Sequence, residues 1–192
     1  LESATQPLGT APLFIDDTPA LSVFEFRSKA RRLKIHNDIK IIIIDYLQLM
    51  TGNQDTKGNR EQEVAFISRT LKAIAKELNV PMIALSQLSR ATEMRGGSKR
   101  PQLSDLRESG AIEQDADIVM FLYRDDYYND SDENHNLAEC IIAKNRHGEP
   151  RTVELQWLPA YTTFSSLHRR PLEYLPGKGR CRHRPPRRSG CP

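Results

Sequence analysis

Cysteine is nearly absent. The 192 residues hold three, Cys140, Cys181 and Cys191, an odd and sparse set that argues against a disulfide framework and fits a reducing compartment, so a cytoplasmic location is expected. Long apolar runs are missing too. The longest, residues 118–123, falls far short of the roughly 20 residues that a membrane-crossing helix needs, and the mean hydropathy is −0.58, so no membrane partner is expected. No basic stretch leading into an apolar one marks a signal peptide, and no internal repeat is visible. Charge of a single sign is lacking over most of the chain as well. Residues 1–167 carry 20 Lys+Arg against 24 Asp+Glu, a net −4, whereas residues 168–192 carry 8 against 1, a net +7. A basic surface over the whole domain is thereby excluded, and any nucleic-acid contact has to come from local sites.

What is present suffices for one full domain with a sizeable core: 38% of residues are hydrophobic and 28% charged. Leu13-Phe14-Ile15 is a short apolar run with the look of a strand. Ser22 followed by Glu25 has capping-box spacing, and Val23, Phe26, Ala30 and Leu33 follow at helical intervals, predicting a helix over about 22–36. Residues 40–46, with four successive isoleucines, are β-branched and apolar on both faces, as in a strand buried in a parallel sheet. After a loop at 51–59, Val64, Ile67, Leu71, Ile74 and Leu78 repeat at alternating steps of three and four, predicting a helix over about 60–79. A second buried strand is expected at 80–86, a mobile polar stretch at 90–100, a third core strand at 118–123 and an acidic loop at 127–136. Two alternating strands at 140–144 and 152–157, separated by His147-Gly148-Glu149-Pro150, predict a hairpin. Strand–helix–strand units with long crossovers followed by a hairpin imply an α/β fold, mostly parallel with an antiparallel edge. Residues 168–192, with five prolines and seven arginines and no periodicity, are expected to be a disordered tail beyond a domain ending near 167.

Two strand ends carry the residues that draw attention. Asp45 closes the isoleucine strand, and the carboxyl ends of parallel strands are where open α/β sheets bind ligands; nucleoside triphosphatases place a carboxylate near Mg²⁺ in this way. A strand-end Asp also meets solvent or caps a turn in many proteins. Ser86-Gln87 ends the next strand, where an amide can donate to a phosphate oxygen, or where the chain simply turns polar on leaving the core.

The combination is more telling than either residue. Ile41-Ile-Ile-Ile-Asp-Tyr-Leu-Gln-Leu-Met50 resembles the Walker B segment of DnaB-type replicative helicases. Ala84-Leu-Ser-Gln-Leu-Ser-Arg90 resembles their next motif, Pro101-Gln-Leu-Ser-Asp-Leu-Arg-Glu-Ser-Gly-Ala-Ile-Glu-Gln-Asp-Ala-Asp-Ile118 the stretch after it, and Ala143-Lys-Asn-Arg-His-Gly148 their last. The order matches, and the resemblance extends over about residues 11–164, the back portion of a RecA-like motor domain. It implies a RecA-like P-loop NTPase core, a homo-hexameric ring, ATP and Mg²⁺ as cofactors, single-stranded DNA as the track, and primase and a helicase loader as partners. It also implies roles residue by residue. Asp45 corresponds to the Walker B aspartate that holds Mg²⁺ through water. Gln87 corresponds to the glutamine that reports γ-phosphate occupancy to the DNA-binding loops. Arg107, Glu108 and Gly110 fall on the loop that tracks the DNA backbone. Lys144 and Arg146 correspond to the pair inserted into the neighbouring subunit's ATP site, Arg146 as the finger.

Elementary chemistry accords with those roles. Arg107 can pair with a phosphate and Gly110 admits a close backbone approach, a combination that reads backbone rather than bases; composition alone would equally give an ordinary helix start with exposed charges. Lys144 and Arg146 stand two apart at a strand end and can project to one face, although lysine also guards exposed sheet edges. Two features depart from the family. No Gly-x-x-x-x-Gly-Lys-Ser/Thr sequence occurs, so the phosphate cradle and catalytic glutamate are expected upstream of residue 1 and the chain by itself is expected to be inactive. The Arg/Pro tail is unlike the family's ending, and Cys181, His183 and Cys191 lack zinc-ligand spacing. Two rival readings stand beside an ATP-dependent 5′→3′ DNA helicase: a RecA-like recombinase or repair ATPase, sharing Asp45 but not the 101–118 stretch, and a non-catalytic DNA-binding module.

Overall fold

The computed structural model describes residues 9–52, 60–89, 91–109, 111–128 and 136–167. Two helices supply most of the core. Helix α1, Val23–Asn37, begins where Ser22 Oγ accepts the Glu25 backbone N–H at 3.2 Å, one half of the expected capping box, and ends at Asp38 in the left-handed region. Helix α2, Arg60–Leu78, buries all five residues of its apolar stripe, Val64, Ile67, Leu71, Ile74 and Leu78. Val23, Phe26 and Ala30 of α1 share a core with Ile67, Leu71, Ile74 and Leu78 of this stripe and with Ile44, Leu47, Met50 and Val80. Glu77 of α2 pairs with both Arg27 and Arg31 of α1, and those hydrogen bonds, Arg31's first, hold its carboxyl below the ordinary range.

Strands β1, Ile42–Ile44, and β2, Met82–Ala84, pair in parallel with Ile43 opposite Ile83. Each is shorter than its apolar run, and after β1 the chain bends at Asp45. Pairing nevertheless continues past the strands: the Leu85 N–H donates to Ile44 O and the Leu47 N–H to Leu85 O, both at 2.9 Å. Of the two apolar faces expected for β1, one is covered, with Ile44 buried, while Ile41, Ile43, Ile83 and Leu85 are exposed. Nothing among the described residues lies over that second face.

The remaining strands form an antiparallel sheet in the order β3-β4-β5-β6: β3 Ile118–Tyr123, β4 Leu137–Asn145, β5 Arg151–Leu158 and β6 Thr163–Ser166. The α/β class and the hairpin are as expected, but antiparallel pairing reaches further than the hairpin. It takes in β3, whose alternation of buried Val119, Phe121 and Tyr123 with exposed Ile118, Met120 and Leu122 suits a sheet with one covered face, and it takes in β6, which carries no strong strand signal. That last strand depends on Thr162, at φ +49°, reversing the chain so that Phe164 lies opposite Trp157 with ring centroids 4.8 Å apart. At the β4–β5 turn the His147 N–H donates to Asn145 Oδ1, and the Asn145 side chain lies against Gly148, its amide nitrogen 2.6 Å from where a Cβ there would stand.

Other expectations differ. Leu13-Phe14-Ile15 is exposed coil, since no strand among the described residues offers it an edge. Within 90–100, helix α3, Ala91–Met94, forms one turn, and Arg95 then pairs with Asp105 at 2.9 Å. A 3₁₀ segment, Leu103–Ser109, leads toward helix α4, Ala111–Asp115. The tail 168–192, with Cys181, His183 and Cys191, lies outside the described residues, as do residue 90, Gly110 and the loop cores 53–59 and 129–135.

Candidate functional site

Parallel pairing of β1 and β2 brings Asp45 and Gln87 to one end of the same strand pair. Asp45 directly follows β1 and is exposed, and its carboxylate has no hydrogen bond or ion pair among the described residues. Gln87 is exposed three residues past β2. Between them stands Gln48, which sequence reasoning did not single out. Its Nε2 donates to Ser86 Oγ at 3.0 Å and to the Gln87 carbonyl at 3.1 Å, while its Oε1 accepts the Gln87 N–H at 3.3 Å. The Gln48 carbonyl in turn accepts from Arg60 at 2.6 Å. Gln48, Arg60, Gln87, Asp105 and Leu106 share the walls of a cleft of about 430 Å³.

Asp105 and Leu106 belong to the 3₁₀ segment that carries Arg107 and Glu108. Its base is fixed on two sides: Leu106 is buried with Val119 and Phe121, and Asp105 accepts from Arg95 and from the Gln102 N–H at 2.8 Å. Gly110, the third residue expected in this loop, lies outside the described residues.

Lys144, near the end of β4, and Arg146, just after it, do converge. Lys144 Nζ donates to the Glu113 carbonyl at 2.5 Å and the Gln114 carbonyl at 3.4 Å, and Arg146 reaches the same Gln114 carbonyl at 3.5 Å. Both cations therefore sit on the terminal carbonyls of α4, where positive charge is favoured. Arg146 is held further by Asp117, whose Oδ1 lies 3.3 Å from Nη1 and whose carbonyl accepts the Arg146 N–H at 2.8 Å. The other oxygen of Asp117 takes Lys72 of α2. No hydrogen bond or ion pair among the described residues joins Lys144 or Arg146 to Asp45 or Gln87. The site thus has two parts, a strand-end pair and a basic pair, with no hydrogen bond or ion pair between them among the described residues. Lys72, Asp117 and Gln48 escaped sequence reasoning because each acts through a residue at least 29 positions away.

Asp117 makes a pH prediction. Lys72, chiefly by its hydrogen bond and then by its charge, together with Arg146, holds the Asp117 carboxyl below its ordinary value of 3.8. A carboxyl depressed by folding stabilises the fold above its unfolded pKa, and that contribution disappears as pH falls through the depressed value. Asp117→Asn is expected to lower Tm at pH 7, by no more than about 1 kcal/mol in stability because both partners are solvent-screened. Thermal melts of the two proteins should converge as pH falls through this depressed value; a constant gap across that range would assign the effect to packing instead.

The donor set suits Mg²⁺ of the substrate-bridging kind. No group of three or more His, Cys, Asp or Glu side chains among the described residues could cage a metal, yet one exposed, unpaired carboxylate at a strand end is what a Mg²⁺ held mainly by water and phosphate oxygens requires.

Comparison with known proteins places this geometry. The chain is 56% identical over 170 residues to the replicative DNA helicase DnaB of Geobacillus stearothermophilus, and 55% identical over 170 residues to the replicative DNA helicase DnaC of Bacillus subtilis (strain 168). Each match covers 88% of this chain and 37% of the relative, so the chain spans little more than a third of those helicases. Among solved structures, a DnaB-like replicative helicase described with its interactions with primase superposes with a TM-score of 0.78 at 44% identity, covering 87% of this chain and 40% of that one. A second solved chain, an ATPase domain, gives the same TM-score and identity, covering 86% of this chain and 58% of that one. The parallel pair with its neighbouring antiparallel sheet is therefore part of a RecA-like ATPase domain, the fold class expected from the sequence. Residues 1–166 match the model of the DnaB-like helicase C terminal domain, and the chain belongs to that family.

Proposed function

We propose that residues 1–167 serve as the back portion of a replicative helicase motor, in a longer polypeptide that assembles as a homo-hexamer and couples ATP hydrolysis to 5′→3′ movement on single-stranded DNA. The observation that carries this reading is the parallel pairing of β1 with β2, which puts a carboxylate unpaired among the described residues and an exposed amide at the same strand ends. The uncovered apolar face beside them suits a chain that works with further polypeptide packed on it.

In this mechanism Asp45 would hold Mg²⁺ through water, and the ion, when bound, would supply charge neutralisation for the nucleotide phosphates. Gln87 donates its side-chain amide toward the terminal phosphate and, through the shared cleft, sits beside the base of the segment bearing Arg107. Arg107 pairs with DNA phosphates, Glu108 orients it, and Gly110 lets the backbone approach. Lys144 and Arg146 act on the nucleotide of the adjacent subunit, which accords with the lack, among the described residues, of a hydrogen bond or ion pair from them to Asp45 or Gln87. These 192 residues contain no glycine-rich phosphate loop, so turnover is assigned to the complete polypeptide. Primase and a loader act as partners, the cytoplasm is the working compartment, and the basic residues 168–192 lie outside the motor. Among the described residues no helix is long and apolar enough to cross a membrane.

The test uses complete rings and a duplex with a 5′ single-stranded tail. Wild-type rings should displace the strand with ATP, whereas Arg107→Ala should unwind poorly and bind all single-stranded sequences more weakly. Each arginine–phosphate pairing removed should reduce the salt slope of binding by about 0.7, the single-strand value. Weaker affinity for one sequence only, at an unchanged slope, would indicate base readout and reject this role for Arg107. Failure of the wild-type ring to displace the strand would reject the helicase reading.

A further inference from the structure

We propose that Gln48 is a positioning residue that anchors Gln87 to the Asp45 strand end, a proposal that rests on the reading of Gln87 as the nucleotide sensor.

Past the last residues of β1 and β2 the backbone ladder makes two more bonds, Leu85 N–H to Ile44 O and Leu47 N–H to Leu85 O, and among the described residues it then offers residue 87 no backbone partner. The Gln48 side chain takes over. Its amide gives Gln87 both bonds that a neighbouring peptide group would supply, a donor to the carbonyl at 3.1 Å and an acceptor for the N–H at 3.3 Å. A second hydrogen on Nε2 serves Ser86 Oγ at 3.0 Å. The assignment of nitrogen and oxygen is consistent with its surroundings, because reversing the amide would set an oxygen against the Gln87 carbonyl and a donor against the Gln87 N–H. Gln48 is itself fixed by Arg60, which reaches its carbonyl at 2.6 Å from the first turn of α2.

The consequence is mechanical. Gln48 lies three residues beyond Asp45 on the same connection, so a displacement of the Asp45 strand end moves the group that holds the Gln87 backbone. Gln87 in turn lines the same cleft as Asp105 and Leu106, the residues just before Arg107. Gln48 touches no nucleotide in this scheme; it acts through Gln87.

The experiment uses the complete ring with three variants, Gln48→Met, Gln48→Glu and Gln87→Ala. Gln48→Met keeps length and removes all three side-chain hydrogen bonds, leaving the Arg60 bond to the backbone in place. The first measurement is hydrogen exchange resolved at the Gln87 amide. Exchange should be about tenfold faster in Gln48→Met, the scale expected from losing one or two hydrogen bonds. The second measurement is the ratio of poly-dT affinities with a non-hydrolysable ATP analogue and with ADP. That ratio should collapse in Gln48→Met about as far as in Gln87→Ala, with normal ring assembly. Should Gln48→Met fail to assemble, Gln48→Glu carries the affinity measurement: it sets a carboxylate oxygen against the Gln87 carbonyl and should collapse the ratio likewise, and a wild-type ratio in it overturns the proposal. Unchanged exchange at Gln87 overturns the proposal. So does faster exchange with a wild-type affinity ratio while Gln87→Ala abolishes it, a result that leaves the sensor reading intact and makes Gln48 merely structural. If Gln87→Ala leaves the ratio unchanged, the sensor reading itself fails and the positioning role fails with it.

Discussion

Arg146→Ala in the complete ring is expected to lower ATP turnover by about 10³-fold, the scale of an arginine finger supplied in trans, while single-stranded DNA binding stays nearly intact. Within one chain no hydrogen bond or ion pair among the described residues leads from Arg146 to Asp45 or Gln87. Arg146 rests on the Gln114 carbonyl and Asp117, with 48% of its side chain exposed, and so remains accessible to a neighbouring subunit. Lys144 is tied down more firmly, on two carbonyls of α4. Mixed rings decide the matter. Combining Arg146→Ala subunits with subunits defective in the phosphate loop should restore turnover at those interfaces where an intact Arg146 meets an intact loop. Absence of any such rescue, in rings shown to remain hexameric, would defeat the assignment.

The largest effect on stability is expected at Ile67. Its side chain is fully buried in the core shared by α1, α2 and the β1 end, next in kind to Ile74 and Val23. Ile67→Ala removes apolar surface from a site enclosed on all sides and leaves a cavity, at a cost of about 2–5 kcal/mol. That is a large share of the roughly 5–15 kcal/mol that holds a typical domain together. The control is Ile83→Ala on the uncovered face of β2, where 41% of the residue is already exposed in this chain; the expected cost is under about 1 kcal/mol. Urea titrations followed by circular dichroism compare the two. Equal shifts in midpoint would mean that the core does not lie where the structure puts it.

Much of this was legible in the residues themselves, for a definite reason. Helix α2 is encoded by the spacing of Val64, Ile67, Leu71, Ile74 and Leu78, a local periodicity that needs no knowledge of what the stripe packs against. The start of α1 is written in Ser22 and Glu25, three residues apart. The span of β3 matches its apolar run residue for residue. Asp45 and Gln87 could be singled out because each ends such a run, and the 101–118 and 143–148 stretches could be matched to a family by their order.

Other features have no local signature. Whether β3 pairs in parallel or antiparallel, and whether Thr163–Ser166 pairs at all, depends on which backbone edge is available, and edges are created only by the assembled sheet. The same holds for Gln48, whose role comes from Ser86 and Gln87, 38 and 39 positions away, and for Asp117, which joins Lys72 to Arg146 from opposite directions along the chain. Hydrophobic periodicity and capping act over three or four residues, so the sequence determined the elements and the candidate residues at their ends. Hydrogen bonds and ion pairs between those ends form only after the chain has closed long loops, and tertiary structure alone decided which amide holds Gln87 and which carboxylate holds Arg146.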